Sequence, residues 1–234
     1  MPVAATPEQN VLSLDHTIDV LGFTDHAVLR AATVERRFAP HEDIFLEGAP
    51  SAELVQIVHG RVKLWRSSED GAICALLLLG RGELLGPVAI LQDVPQLASA
   101  TALDEVTALA WPADTFRDAL RADPVFAQSF LHTVARRAVQ LMDRLDDLHG
   151  ASVEHRLARL LLRLSGDYGR HDDDLSVVLD LRQQELAELA QTTVPTVSRS
   201  LGAWRDAGLI ETRRGQIIIP HLSRLAHLAG VHVD

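Results

Sequence analysis

The sequence contains a single cysteine, Cys74, and nowhere does it hold an apolar run near the ~20 residues that a membrane span needs. One thiol excludes a disulfide framework and also a four-thiolate iron–sulfur cluster within one chain. No basic N-terminal segment with a cleavage site is present, so the expectation is a cytoplasmic protein with no membrane partner. A glycine-rich phosphate loop, a G-x-S-x-G nucleophile elbow and a His/Cys set at metal-ligand spacing are all missing. An enzymatic reading therefore has no residues to stand on. A further scarcity is positional: no Lys or Arg occurs between Arg81 and Arg117.

What is present is a chain of 234 residues with 47% hydrophobic content, which excludes disorder and suffices for two modest domains. The net charge of −10 is unevenly spread. From Gly150 onward ten arginines face eleven carboxylates, whereas residues 1–149 carry twelve basic side chains against twenty-one acidic ones. The acid belongs to the N-terminal part. Local phosphate contacts and counterion release decide nucleic-acid affinity, so a nearly neutral C-terminal part can still bind DNA.

The C-terminal stretch from Arg182 to Pro220 carries the densest punctuation. Leu186, Leu189 and Ala190 fall on one face of a short helix, with Ala187 small enough for a close helix crossing. Thr193 is a good N-cap and Pro195 suits a first helical turn, so a second helix is predicted from near Val194 to Gly208. Its buried face is Val197, Leu201 and Trp204, and its opposite face offers Thr196, Ser198, Arg199 and Arg205. Arginine pairs bidentately with guanine, and hydroxyls meet several base edges. Two runs, Leu209 to Thr212 and Gln216 to Ile219, flank Arg213-Arg214-Gly215 as a hairpin with two cations at its tip. The pattern is that of a winged helix-turn-helix, with Arg199 and Ser198 on bases and Thr193, Thr196, Arg213 and Arg214 mostly on phosphates.

Before it, Ala127, Leu131, Val134, Ala138, Leu141, Leu145 and Leu148 repeat at a 4-3-4-3-4-3 spacing, an a/d seam that calls for an identical partner helix. His149-Gly150-Ala151-Ser152 is the expected hinge. An amphipathic helix follows from Val153 to Leu164, then a polar loop over residues 166–174 and a strand from Leu175 to Leu179. Further upstream, short β-type runs (Arg37-Phe38, Asp43 to Leu46, Leu54 to Val58, Gly60 to Arg66, Ile73 to Leu79, Thr101 to Trp111) are separated by glycines at 48, 60, 71, 82 and 86. Such a succession predicts a sandwich or barrel. Residues 1–20 show no clear period, although Val11 to Leu21 has the makings of a helix start.

Val194, Thr196, Val197, Ser198 and Arg199 resemble, in register, the T-V-x-T-V/I-S-R motif of the Crp/Fnr transcription regulators, and Thr193, Leu201, Gly202 and Gly208-Leu209-Ile210 extend the likeness. Leu54 to Leu64, with Gly60 at the turn, resembles the central hairpin of the eight-stranded β-roll of cyclic-nucleotide-binding domains. The resemblance implies an α+β chain in three parts: a β-roll sensor over residues 1–122, a dimerisation helix over 123–149 and a winged helix-turn-helix over 150–234. It also implies a homodimeric regulator on a near-palindromic DNA site, with RNA polymerase as partner in an activator's role. One departure falls at the recognition helix, where many Fnr-like members carry a base-reading glutamate and this chain has Pro195, which accepts no hydrogen bond from cytosine.

The second departure concerns the effector. Relatives that bind cyclic nucleotides hold the ribose with a glutamate after a glycine, and the cyclic phosphate with an arginine about ten residues on. Pro87 stands here for the glutamate and Gln96 or Leu97 for the arginine. Gly82-Glu83 sits a strand too early for that role. A phosphate buried without a cation costs several kcal/mol, which argues against cyclic-nucleotide binding in the usual mode. Leu84, Leu85, Gly86, Pro87, Val88, Leu97, Ala98 and Ser99 remain as the candidate effector pocket, apolar in character together with Ile90 and Leu91. That pattern resembles the Dnr/NnrR-type branch, which makes haem a candidate cofactor for sensing nitric oxide. His16, His26, His41, His59, His132 and His149 offer an axial imidazole, and no spacing singles one out. Cys74 reads as a buried strand residue, with a redox switch as the minor alternative.

Overall fold

The computed structural model describes Phe23, residues 26–68, 71, 73–148, 152–171 and 176–230, the side chains of residues 140, 143–148 and 171 excepted. The expected helix start at 11–21, the residues 149–151 of the expected hinge and part of the 166–174 loop lie outside the described residues, as do His16 and His149. The chain runs α1 (Ala27–Ala32), β1 (Val34–Phe38), β2 (Asp43–Phe45), β3 (Glu53–His59), β4 (Val62–Ser67), β5 (Ile73–Leu79), β6 (Leu84–Leu85), α2 (Pro87–Gln92), β7 (Ser99–Ala102), β8 (Val106–Pro112), α3 (Ala113–Ala122) and α4 (Pro124–Leu148). It continues as α5 (Val153–Tyr168), β9 (Arg170–His171), β10 (Val177–Asp180), α6 (Gln183–Leu189), α7 (Val194–Asp206), β11 (Glu211–Arg213), β12 (Gln216–Ile219) and α8 (Leu222–Leu228).

The eight N-terminal strands form two four-stranded antiparallel sheets, ordered β1-β8-β3-β6 and β2-β7-β4-β5. Alternation along β3 sets what each face covers. Val55 and Ile57 point between the sheets with Val62, Leu77, Leu79 and Leu85, against the small residues Ala100, Ala102, Ala108 and Ala110. Leu54, on the other face, joins Leu84, Leu109 and Trp111 under the helices. There Phe23 meets Trp111, Phe116 and Phe126 edge-to-face with ring centroids 5.3–5.5 Å apart, and Phe130 closes the cluster. Trp111 Nε1 donates to Thr33 Oγ1 at 3.0 Å, which settles its one polar atom.

Three differences from the expected elements have local causes. The expected run Thr101 to Trp111 is two strands, because Asp104 turns the chain by accepting from Arg61 N at 2.6 Å. The helix after the hinge runs to Tyr168 rather than Leu164, its C-terminal turn fixed by packing against the β-roll. Helix α2 is not among the expected elements and forms with Pro87 in its first turn after Gly86 at φ +78°. Ser152, as expected of a helix start, caps α5 by accepting from His155 N.

The long helix α4 turns Phe126, Phe130 and Val134 toward the sheet. Leu131 and Ala138 of the expected seam are exposed, Leu141 is on the margin of exposure, and Ala127 and Val134 are half-buried. Leu145 and Leu148 lie outside the described side chains. Among the described residues, no helix is long and apolar enough to cross a membrane.

Candidate nucleic-acid interface

Helices α6 and α7 cross at a tight turn. Glu185 Oε2 accepts from Arg182 N at 2.8 Å at the start of α6, and the turn passes through Gln191 at φ +48°. Thr193 caps α7: its hydroxyl accepts from Thr196 N at 3.4 Å and lies 2.9 Å from Thr196 Oγ1. At the far end Gly208 takes φ +64°, and Leu209 N bonds back to Trp204 O at 2.8 Å. Val197, Ser200, Leu201 and Trp204 are buried, which turns Pro195, Ser198, Arg199 and Arg205 outward, with Thr196 half-exposed beside them. Arg205 also meets Asp206 at 3.3 Å, so its charge is shared locally.

The wing is β11 and β12, joined by a two-residue turn, Arg214-Gly215, with Arg213 the last residue of its strand rather than part of the tip. Arg213 and Arg214 are exposed, and Arg213 lies 3.7 Å from Glu211. Two groups invisible to sequence reasoning position this surface. Asp180 Oδ1 accepts from Gln216 Nε2 at 2.8 Å and Leu181 N donates to Gly215 O at 3.0 Å, tying the wing to β10. Arg224 of α8 donates to the carbonyls of Gly208 and Ala207 at 3.2 and 3.4 Å, a cation at the C-terminal end of α7. Both contacts join residues far apart in sequence, so no spacing announces them.

The candidate effector residues divide between surfaces. Leu85 belongs to the core between the sheets and Leu84 to the core under the helices, while Leu97 is 52% exposed. Ala98 is buried, as is Ser99, whose Oγ accepts from Glu47 N at 2.9 Å; Gly86, Pro87 and Val88 are half-buried. Gln96 is buried at 5%, its amide so close to Gly86 that a Cβ there would stand 2.9 Å from Nε2. The described histidines do not converge on a haem site: His26 packs on Phe126, His41 meets Arg182, His59 lines a cleft between the domains, and His132 is exposed on α4. Cys74 is half-buried on β5, with Gln191 Nε2 3.4 Å from its sulfur.

An eight-stranded β-roll followed by a long helix and a winged helix-turn-helix is the architecture of a class of DNA-binding regulators. Residues 35–123 match the cyclic nucleotide-binding domain family and residues 155–228 the Crp-like helix-turn-helix domain family. The chain is 31% identical over 187 residues to the "CRP-like cAMP-activated global transcriptional regulator" of Mycobacterium tuberculosis, covering 80% of this chain and 84% of that one. It is 30% identical over 196 residues to the "Cyclic AMP receptor protein" of Thermus thermophilus, covering 83% and 88%. A solved CRP-family regulator from Thermus thermophilus shares the fold at TM-score 0.74 and 23% identity, over 85% of this chain and 98% of that one. The chain belongs to the Crp/Fnr family and is a Crp-like DNA-binding transcriptional regulator.

Proposed function

We propose that this regulator works as a homodimer on a near-palindromic operator, and that its β-roll answers to a small effector other than a cyclic nucleotide held in the usual mode. The effector half rests on one observation. By the sequence resemblance Pro87 stands for the ribose-binding glutamate and Gln96 or Leu97 for the phosphate-binding arginine; Gln96 is buried against Gly86, Leu97 is exposed, and neither carries a charge. With no Lys or Arg between Arg81 and Arg117, the stretch offers a cyclic phosphate hydrogen-bonding groups and no countercharge.

The dimer is supported by the surface of α4. Leu131 and Val139 are each 55% exposed and Met142 63%, a row of apolar side chains that a second copy of the helix would cover. The division into a sensor at 1–122, a dimer helix at 123–149 and a DNA-binding domain at 150–234 follows. Arg199 and Ser198 then read bases from the outward face of α7, with Pro195 and Arg205 beside them. Thr193, Thr196, Arg213 and Arg214 hold phosphates. RNA polymerase is the protein partner, in an activator's role.

Haem, and a place in the Dnr/NnrR-like branch, rest on the apolar character of the sequence alone, since Leu84 and Leu85 are committed to separate cores and Leu97 is exposed. The names of the two curated relatives favour a second reading, in which cyclic AMP binds in an atypical mode. Equilibrium titration with labelled cyclic AMP, beside absorption spectra during haem addition, separates them. The proposal expects no saturable cyclic-AMP binding. A Soret band that saturates at one haem per chain and shifts with nitric oxide identifies haem, and its absence points to an organic ligand. Saturable micromolar cyclic-AMP binding overturns the proposal.

A further inference from the structure

Glu83 lacks the position to bind a ribose, yet it stands where three parts of the molecule meet. Its carboxylate accepts from Gly80 N at 2.7 Å and lies 2.9 Å from Arg137 Nη1 of α4, a pair only 24% and 18% exposed. Tyr168, the last residue of α5, brings its hydroxyl 3.0 Å from Glu83 Oε2 and 2.8 Å from Leu78 O, two acceptors for one proton. Burial, then the Glu83 charge, pushes the phenol pKa up, so the proton stays. The ring lies flush on Gly80, where a Cβ would come within 2.5 Å of Tyr168 Cε1. These groups line a cavity of about 480 Å³ between the β-roll, α4 and the C-terminal domain.

The C-terminal domain is held to the β-roll at other points. Lys63 Nζ lies 2.6 Å from Glu188 Oε2, 13% and 12% exposed, and the Arg61 guanidinium donates to the Asp180 carbonyl. Ala75 and Leu78 share a core with Leu186 and Leu189, so α6 covers β5, the edge strand of its sheet. Arg182 at the start of α6 meets His41, Gln191 in the turn before α7 meets Cys74, and Thr193 and Val194 share a cleft with Ser68 and Ile73. A helix-turn-helix lays its first helix across the DNA backbone and the start of its second into the groove. Docked in this way, those ends face the β4–β5 hairpin while Ser198 and Arg199 further along α7 stay exposed, so the closure acts on the backbone-crossing end of the motif and not on its reading side chains.

We propose that Glu83 is the positioning residue of an interdomain latch: through Tyr168 and Arg137 it holds the DNA-binding domain against the β-roll, closed to DNA, until the Tyr168 contact is released. The proposal rests on the winged helix being the DNA interface. Its test uses the full chain, Tyr168→Phe and Glu83→Gln variants, and a duplex enriched from a random pool by the wild-type protein. Hydrogen exchange reports docking and fluorescence anisotropy reports affinity. Loss of one hydrogen bond predicts faster exchange in β5 and α6, unchanged exchange in β3, and about five-fold tighter duplex binding without effector. Because Glu83→Gln also removes the charge pair with Arg137, the double variant should gain no more than Glu83→Gln alone. Unchanged exchange in both variants overturns the latch. Faster exchange with equal or weaker binding overturns the closure to DNA. An Arg199→Ala control that leaves duplex preference intact contradicts the interface reading instead, whatever the exchange shows.

Discussion

Arg199 projects from α7 one position after Ser198, on a face kept free by the burial of Val197, Ser200 and Leu201. A bidentate arginine contact discriminates one base pair, so Arg199→Ala should weaken binding to the selected duplex by about 1–3 kcal/mol and leave scrambled DNA nearly unaffected. Anisotropy titrations on both duplexes check this, and equal losses would assign Arg199 to phosphate. Asp167 offers a prediction of a different kind. Its carboxyl stands at the exposed rim of the cleft, where partial loss of solvent first and then the Glu83 charge raise its pKa above the ordinary 3.8, with Arg163 opposing. A raised carboxyl pKa means the folded state binds the proton more tightly than the unfolded one. The ionised group therefore costs stability above the folded pKa, and the cost fades as pH falls through it. Asp167→Asn should raise the melting temperature at pH 7 and give no gain near pH 3, as calorimetry at the two pH values would show.

Among the elements, α7 was the most legible, because Thr193, Pro195 and Gly208 act within one turn of their own positions and need no distant partner. The short helices α1 and α3 carry no such signals, α2 and α8 carry one each in Pro87 and Gly230, and the split of β7 from β8 depends on Asp104 reaching Arg61 across 43 positions. Contacts of that length leave no periodic trace. The seam on α4 was legible as a stripe, and the structure divides the helix between two duties, Phe126 and Phe130 inward and Leu131 outward. Leu131→Arg should therefore lower the dimer's stability without unfolding the chain. Sedimentation velocity should find monomer at concentrations where the wild type is dimeric, with unchanged circular dichroism. Gly202 lies in the middle of α7, and a Cβ there meets nothing within 4 Å. Gly202→Ala should accordingly stabilise the free protein by about 0.5–1 kcal/mol, readable as a higher denaturant midpoint.

Across the whole molecule, the β-roll, α4 and the C-terminal domain join at one crowded corner, where Glu83 of the β-roll meets Arg137 of α4 and Tyr168 of α5. The N-terminal part holds most of the net negative charge, so nucleic acid is left to the C-terminal surface. In the proposed dimer two copies of α7, related by a two-fold axis through α4, read one operator. Repeated selection of random duplex DNA by the full-length protein, followed by sequencing, tests it most directly. Such a dimer should enrich an inverted repeat whose half-sites are centred about one helical turn apart, and should lose the enrichment with Arg199→Ala. A single unrepeated motif, a direct repeat, or enrichment that survives Arg199→Ala would contradict it.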